Sequence, residues 1–358
     1  MTIERAMPRV FGTRRALLGA ALAAPAVLAT GGRAAAQASR PLNFLTWGGG
    51  FGRGVRTAFS DPFTAATGIE VRDITPFNYG RFVTAMQNRN PENFDLAWFS
   101  DEVEPAQAGA GGYLEPLDYS LLPNAANAIP SARTPFGISP YVTLYQVGYR
   151  TDRWPSAPTG WADFWNAEKF PGPRSLGSWV GGVLEAALMA DGVAPANLYP
   201  LDEDRAFRKL DQLKPHVRVF HNTSAAQPIR QALYQNEIAM VLTWSTDFIT
   251  AKNSGRPVDV VWNQSFYFSP CVGIAKGSAH VKAAHDYLNR MFDPARLTEF
   301  VTTWPTTPSL PAIAERLTPE QRALTALGNL ERMVNLSRQY YLENRERLQR
   351  RYDSWRVT

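Results

Sequence analysis

Cysteine is nearly absent from this 358-residue chain: Cys271 is its one thiol, so no internal disulfide can form. Stability must then come from core packing rather than covalent staples. Histidine is scarce too, with only His216, His221, His280 and His285. Their five-residue spacings bring no carboxylate or thiolate to zinc-ligand distance, so they read as structural or surface histidines. The glycine-rich runs Gly48 to Gly54 and Gly109 to Gly112 match neither G-x-G-x-x-G nor a phosphate-cradling loop. Gly177-Ser178-Trp179-Val180-Gly181 fails G-x-S-x-G. Cys271, between Pro270 and Val272, reads as a small buried hydrophobe rather than a nucleophile. No period of 20 to 50 residues repeats, and no low-complexity tract follows the N-terminal segment. After the first 38 residues no apolar stretch approaches spanning length.

Those first residues are a processing segment, not part of the fold. Thr13-Arg14-Arg15-Ala16-Leu17-Leu18 is a twin-arginine pattern ahead of an apolar run from Ala16 to Thr30. Cleavage-type small residues follow at Ala34-Ala35-Ala36 and Ala36-Gln37-Ala38. We read residues 1–38 as a twin-arginine export signal, and the remainder as a soluble protein outside the cytoplasm. The segment holds five arginines and one glutamate, which leaves 32 basic and 31 acidic residues beyond it. The basic isoelectric point thus belongs to the signal and gives no argument for nucleic acid.

About 320 residues remain, enough for two domains with cores of their own. Short strand patterns alternate with helical ones. Leu42 to Trp47 is strand-like, Gly54 to Thr67 helical up to Gly68, Ile69 to Ile74 a strand, and Tyr79 to Gln87 a helix. Phe94 to Phe99 gives the next strand, and a further helix stops near Gly109 to Gly112. This order predicts an α/β fold with a mostly parallel sheet flanked by helices. A turn-rich break at Pro155 to Trp161 follows the strand Ser139 to Tyr149 and opens a second lobe. Helices near 181–190, 203–213 and 225–235 and strands at 217–220 and 237–244 follow. The pattern ends in helix formers from Thr318 to Tyr352. The charge run Glu343, Arg345, Glu346, Arg347, Arg350 and Arg351 reads as a solvated helix face, and Tyr340-Tyr341 as packing.

Aromatics are abundant, at 12% of residues with ten tryptophans. Several close predicted strands or lie in the connections: Trp47 before Gly48, Trp244 before Ser245-Thr246-Asp247, Phe266-Tyr267-Phe268, and Trp304. Ser100-Asp101-Glu102 closes another strand. In open α/β sheets, ligands bind beyond the carboxyl ends of the strands. The pattern predicts an aromatic-lined cleft with carboxylates at its rim, suited to a cationic or amphipathic small solute.

The supporting stretches are Leu45-Thr46-Trp47-Gly48-Gly49, Pro62 to Val71, Phe94-Asp95-Leu96, Trp161-Ala162-Asp163-Phe164-Trp165 and Arg256 to Trp262. With them the chain resembles the periplasmic solute-binding proteins of ABC importers, in the spermidine/putrescine-binding branch. The resemblance implies a type II two-lobed fold with a hinge of crossing strands, an inner-membrane ABC permease as partner, a monomer, and no cofactor. It divides the chain into residues 41–146 plus 271–304 as lobe 1 and 147–270 plus 305–358 as lobe 2. Trp47, Gly48, Ser100, Asp101, Glu102, Trp244, Asp247, Phe268 and Trp304 are the ligand-binding candidates. Phe268 stands where polyamine binders use Trp, and Pro270 where they carry a carboxylate; two further family carboxylates fall near Trp179 and Gly182. Asp101, Glu102 or Asp247 is then expected to replace them, or the ligand is less cationic than a polyamine. The expected ligand is a polyamine or another amine-containing solute such as an ω-amino acid. Two other readings compete: an exported enzyme on the same fold, using Cys271 or a cleft carboxylate, and a metal-ion carrier.

Overall fold

Two β-sheets organise the protein, each with its own apolar core. This computed structural model describes residues 40–223, 226–327 and 329–358. The export signal read over residues 1–38 lies outside the described residues. In chain order come β1 (Leu42–Leu45), β2 (Val71–Ile74), β3 (Leu96–Trp98), β4 (Leu114–Glu115), β5 (Arg133–Thr134) and β6 (Gly137–Ile138). The long β7 (Tyr141–Arg150) leads to β8 (Arg174–Gly177), β9 (Val217–His221), β10 (Met240–Trp244), β11 (Val258–Val260) and β12 (Phe266–Phe268). β13 (Val272–Ala275), β14 (Thr307–Pro308) and β15 (Val334–Asn335) complete the set among the described residues.

The first sheet runs β2-β1-β3-β13-β6-β5, with β4 also on β13. Its β1 lies parallel to β2 and β3, whereas β13 enters antiparallel. The second sheet runs β15-β12-β7-β10-β8-β9, with β11 and β14 also on β7. Parallel neighbours require crossover connections, and helices supply them. The crossover from β1 to β2 is helical from Gly49 to Thr67, with a π-helical segment, Arg56–Ser60, in its middle. Gly68 ends it in the left-handed region at φ +72, as its position after the helical pattern predicts. The helix Tyr79–Gln87 starts at Asn78, whose side chain accepts from the Arg81 N–H at 2.9 Å. Asp202 caps Glu203–Leu213 in the same way, and the helix buries Ala206, Phe207, Leu210 and Leu213 along one face.

Three stretches of chain carry the passages between the sheets. Ile138 pairs with Val272 in the first sheet, and β7 then pairs with the second-sheet strands β10, β11 and β12. Residues Ser269 to Cys271 carry the return from β12 to β13. From β14 the chain reaches Leu310, Ile313 and Leu317, which pack in the core of the first sheet, and then joins the second through β15. Serine hydroxyls tie these crossings together. Ser139 donates to the Pro270 carbonyl and Ser309 to the Ser139 carbonyl, both at 2.6 Å. All three groups are buried, so their backbone polar atoms would be orphaned without these bonds.

One expectation changes here. Trp304 does not sit in an open connection: it caps the C-terminus of the helix Pro294–Thr303, whose apolar spacing (Leu297, Phe300, Val301) sequence reading passed over. The C-terminal helix formers divide between two helices. A short helix, Pro319–Ala323, is followed by β15, and Ser337 then caps the helix Arg338–Val357.

Candidate functional site

Trp47 leaves the end of β1, and Gly48 turns the chain at φ +77 into the helix Gly49–Val55. A Cβ there would meet the Thr75 side chain at 3.1 Å, so glycine answers both the backbone angle and the space. Trp47 is half-buried and its ring contacts Phe51, Phe77 and Trp98 at 4.8 to 6.0 Å. Trp304 joins this group through Phe51. These rings belong to the first sheet.

A second aromatic group forms on the other sheet. Trp244, at the end of β10, lies 4.8 Å from Tyr145 and stacks on Trp179 at 5.9 Å. Phe268 closes it, 5.0 Å from Trp179 and 5.6 Å from Trp244. The Trp244 indole donates to the Thr223 carbonyl at 3.2 Å, fixing its ring. Among the described residues no ring of one group contacts a ring of the other. The candidate aromatics are therefore two walls, Trp47 with Trp304 and Trp244 with Phe268, rather than one closed box.

Trp179 was not among the candidates, although it carries the same signal as Trp47 and Trp244: a tryptophan just past a strand end. Its loop is held by Gln349, which accepts from the Val180 N–H and donates to the Ser178 carbonyl. Tyr145 gave no such signal, because only its place within β7 makes it part of the wall.

The acidic candidates are present but engaged. Ser100 donates its N–H to Glu104 at 2.8 Å. Asp101 accepts from the Val103 and Glu104 N–H groups, both at 2.9 Å, at the start of the helix Val103–Ala110. It also pairs with Arg345 at 3.2 Å, and Glu104 lies 3.6 Å from the same guanidinium. Glu102 accepts from the Ser269 N–H at 3.0 Å and from the Asn335 side chain at 3.3 Å. Burial first, and then the charge of Asp101, raise the Glu102 carboxyl from 4.5 to about 7. Burial likewise raises Glu104, with Arg345 opposing. Asp101 and Glu102 are thus buried, and their oxygens already have partners within the chain. Asp247 falls on the helix Ser245–Asn253, and its side chain lies outside the described residues.

Arg345 also corrects the reading of the C-terminal charge run as a solvated face. Its side chain is 22% exposed and sits between two buried carboxylates, while Arg347 and Arg351 pair with Glu203. Tyr341 does pack as expected: it is buried and donates to Glu185 at 2.9 Å.

Asp101, Glu102 and Val103 from one side, and Trp179, Phe268, Leu336, Arg338, Tyr341 and Arg345 from the other, line a cavity of ≈ 10 Å³. That is room for about one water molecule. Elsewhere, Cys271 is fully buried, donates weakly to the Ser269 carbonyl, and has its thiol pushed well up by burial. His285 accepts from the Asp118 N–H, and its other ring nitrogen meets the Val281 carbonyl. Burial lowers His221 to about 4. Among the described residues no three His, Cys, Asp or Glu side chains are placed to hold a metal ion.

A family model described as bacterial extracellular solute-binding protein matches residues 58–327. The chain is 29% identical to the gamma-aminobutyric acid-binding protein of Pseudomonas aeruginosa, over 90% of this chain and 93% of that one. It is 25% identical to the spermidine/putrescine-binding periplasmic protein of Escherichia coli, over 65% and 68% respectively. A solved ABC transporter substrate-binding protein from Bradyrhizobium japonicum superposes with a TM-score of 0.82 at 29% identity, covering 88% of this chain and 99% of that chain.

Proposed function

The chain belongs to the bacterial extracellular solute-binding proteins, and we propose that it captures an amine-containing solute in the periplasm for an ABC permease. An ω-amino acid is favoured over a polyamine. The observation that carries this reading is the pair of aromatic walls on two sheets joined by crossing strands, one holding Trp47 and Trp304 and the other Trp244 and Phe268. Aromatic faces attract ammonium groups by about 0.5 to 2 kcal/mol per contact.

The preference for an amino acid follows from the carboxylates. Asp101 and Glu102 are committed to Arg345, Ser269 and Asn335, which leaves few anionic partners for a solute with an amine at each end. The relative at 29% identity is named for gamma-aminobutyric acid, and one at 25% for polyamines. A cavity of ≈ 10 Å³ is too small for such a solute. In this reading the lobes, residues 41–146 plus 271–304 and 147–270 plus 305–358, part to admit the solute and close again on it. Export by the twin-arginine route, action as a monomer and independence of nucleic acid belong to the same proposal.

The enzyme reading gains nothing from Cys271, since a fully buried thiol held in its neutral form is a poor nucleophile. Calorimetry of the mature protein against ω-amino acids, diamines, dicarboxylates and sugars tests the proposal. Saturable binding confined to amine-containing solutes is expected; binding confined to sugars or dicarboxylates overturns it. Trp244→Ala should weaken the interaction by about tenfold, in line with a lost aromatic face.

A further inference from the structure

The hydrogen-bonding capacity around the cavity is unevenly spent. Of the acidic groups that line it, Asp101 is held by Arg345 and two backbone N–H groups, and Glu102 by Ser269 and Asn335. Of the two arginines that line it, Arg345 is committed to Asp101 and Glu104. Arg338 is different. It is exposed, stands at the first position of the helix Arg338–Val357, and has no hydrogen-bond or ion-pair partner among the described residues. Tyr341 gives its hydroxyl proton to Glu185. The indole N–H of Trp179, also a lining residue, is buried without a hydrogen-bond partner.

The unspent groups on this wall are thus donors: one guanidinium and one buried indole N–H. A buried donor without a partner is costly, and native structures seldom leave one unless something supplies the acceptor. A guanidinium fork fits a carboxylate in two parallel hydrogen bonds, and the indole adds a third donor.

We infer that Arg338 and Trp179 form the carboxylate-binding end of the solute site, so that the ligand is an acid with its amine at the far end. The inference rests on the proposed solute-binding role and sharpens it: Arg338 selects amino acids against diamines. The aromatic faces of Trp244 and Phe268, in contact with Trp179, then receive the rest of the ligand. A diamine places a second positive charge against Arg338 and is rejected by repulsion.

Calorimetry with four probes on wild type and Arg338→Gln tests this: 4-aminobutyrate, 4-aminobutyramide, butyrate and 1,4-diaminobutane. Wild type is expected to prefer 4-aminobutyrate to its amide by about tenfold to a hundredfold, the range of a charge-assisted hydrogen bond. Arg338→Gln should erase that preference, with the acid and the amide binding alike. Unchanged thermal unfolding of Arg338→Gln would show that the exposed substitution leaves the fold intact, and Arg338→Lys should recover part of the preference. Equal affinity of wild type for acid and amide, or an acid preference that survives Arg338→Gln, overturns the inference. So does the absence of binding by both carboxylates. If butyrate binds as tightly as 4-aminobutyrate and does so through Arg338, the carboxylate site stands and the amine reading fails. If 1,4-diaminobutane binds and Arg338→Gln leaves it unaffected, the amine reading stands and the carboxylate site falls.

Discussion

Arg345 and Asp101 meet at 3.2 Å across 244 positions of sequence, joining the C-terminal helix to the loop after β3. The two belong to different sheets' surroundings. Tyr341, Leu348, Tyr352 and Trp355 anchor the C-terminal helix in the core of the second sheet, while Asp101 follows a strand of the first. Both residues line the cavity, and the same guanidinium lies 3.6 Å from Glu104.

Removing the cation should be costly. Arg345→Met leaves Asp101 and Glu104, each under one-tenth exposed, without their counter-charge. Breaking a buried pair from one side costs about 3 kcal/mol, much of it the desolvation of the orphaned charge. Urea unfolding should show that loss. Adding Asp101→Asn should return part of it, and a strictly additive double variant would rule out the coupling.

Glu102 should make stability depend on pH. Its carboxyl is raised from 4.5 to about 7, so the folded chain holds a proton there that the unfolded chain releases. The stabilisation from this group is complete below about pH 4.5 and is lost as pH rises through 7. The stability of wild type relative to Glu102→Gln should therefore fall across that window, by at most about 1.4 kcal/mol per pH unit. Denaturant unfolding of both proteins from pH 4 to 8 measures it. A flat difference, or one that grows with pH, contradicts the assignment.

Gly148 should resist even a methyl group. A Cβ on it would lie 1.8 Å from Cζ of Phe248, which packs across β7 at that point. Gly148→Ala is expected to destabilise by about 1 to 3 kcal/mol through overpacking. Pairing it with Phe248→Leu should restore part of the loss in guanidinium unfolding; equal loss in both backgrounds would deny the contact.

Cys271 should be silent until the protein opens. It is fully buried, and its thiol is raised by burial and by the charges of Glu102 and Asp101. Thiolate is the reactive form, so Ellman's reagent should find no thiol in the folded protein and one after denaturation. Immediate reaction in native buffer would show the site to be accessible.

Much of the fold was legible because its signals are local. The helices Tyr79–Gln87 and Glu203–Leu213 have the bounds that their apolar spacing and caps predict. Gly68 ends a helix where the pattern changes from helical to strand spacing. The helix that precedes β14, Pro294–Thr303, was missed. Its C-terminal Val301-Thr302-Thr303-Trp304 is β-branched and aromatic and looks like a strand, yet packing of Phe300 in the first core holds it helical.

The candidate site was legible in part. A tryptophan just past a strand end can be read from a single window, and Trp47 and Trp244 both occupy such places. The partners of Asp101 and Glu102 could not be read that way. Each depends on a residue more than 160 positions away: Arg345 for one, Ser269 and Asn335 for the other. Nothing local distinguishes Arg345 from its solvated neighbours Arg350 and Glu346.

The sequence by itself determined the strand and helix alternation and the tryptophans just past strand ends, because turn chemistry and apolar period act over a few residues; the two-lobed class came from the resemblance of longer stretches. Only the tertiary structure decided which charges are spent. Burial and pairing across the hinge turn Asp101 and Glu102 inward and leave Arg338 unpaired, and such pairings exist only once distant segments meet.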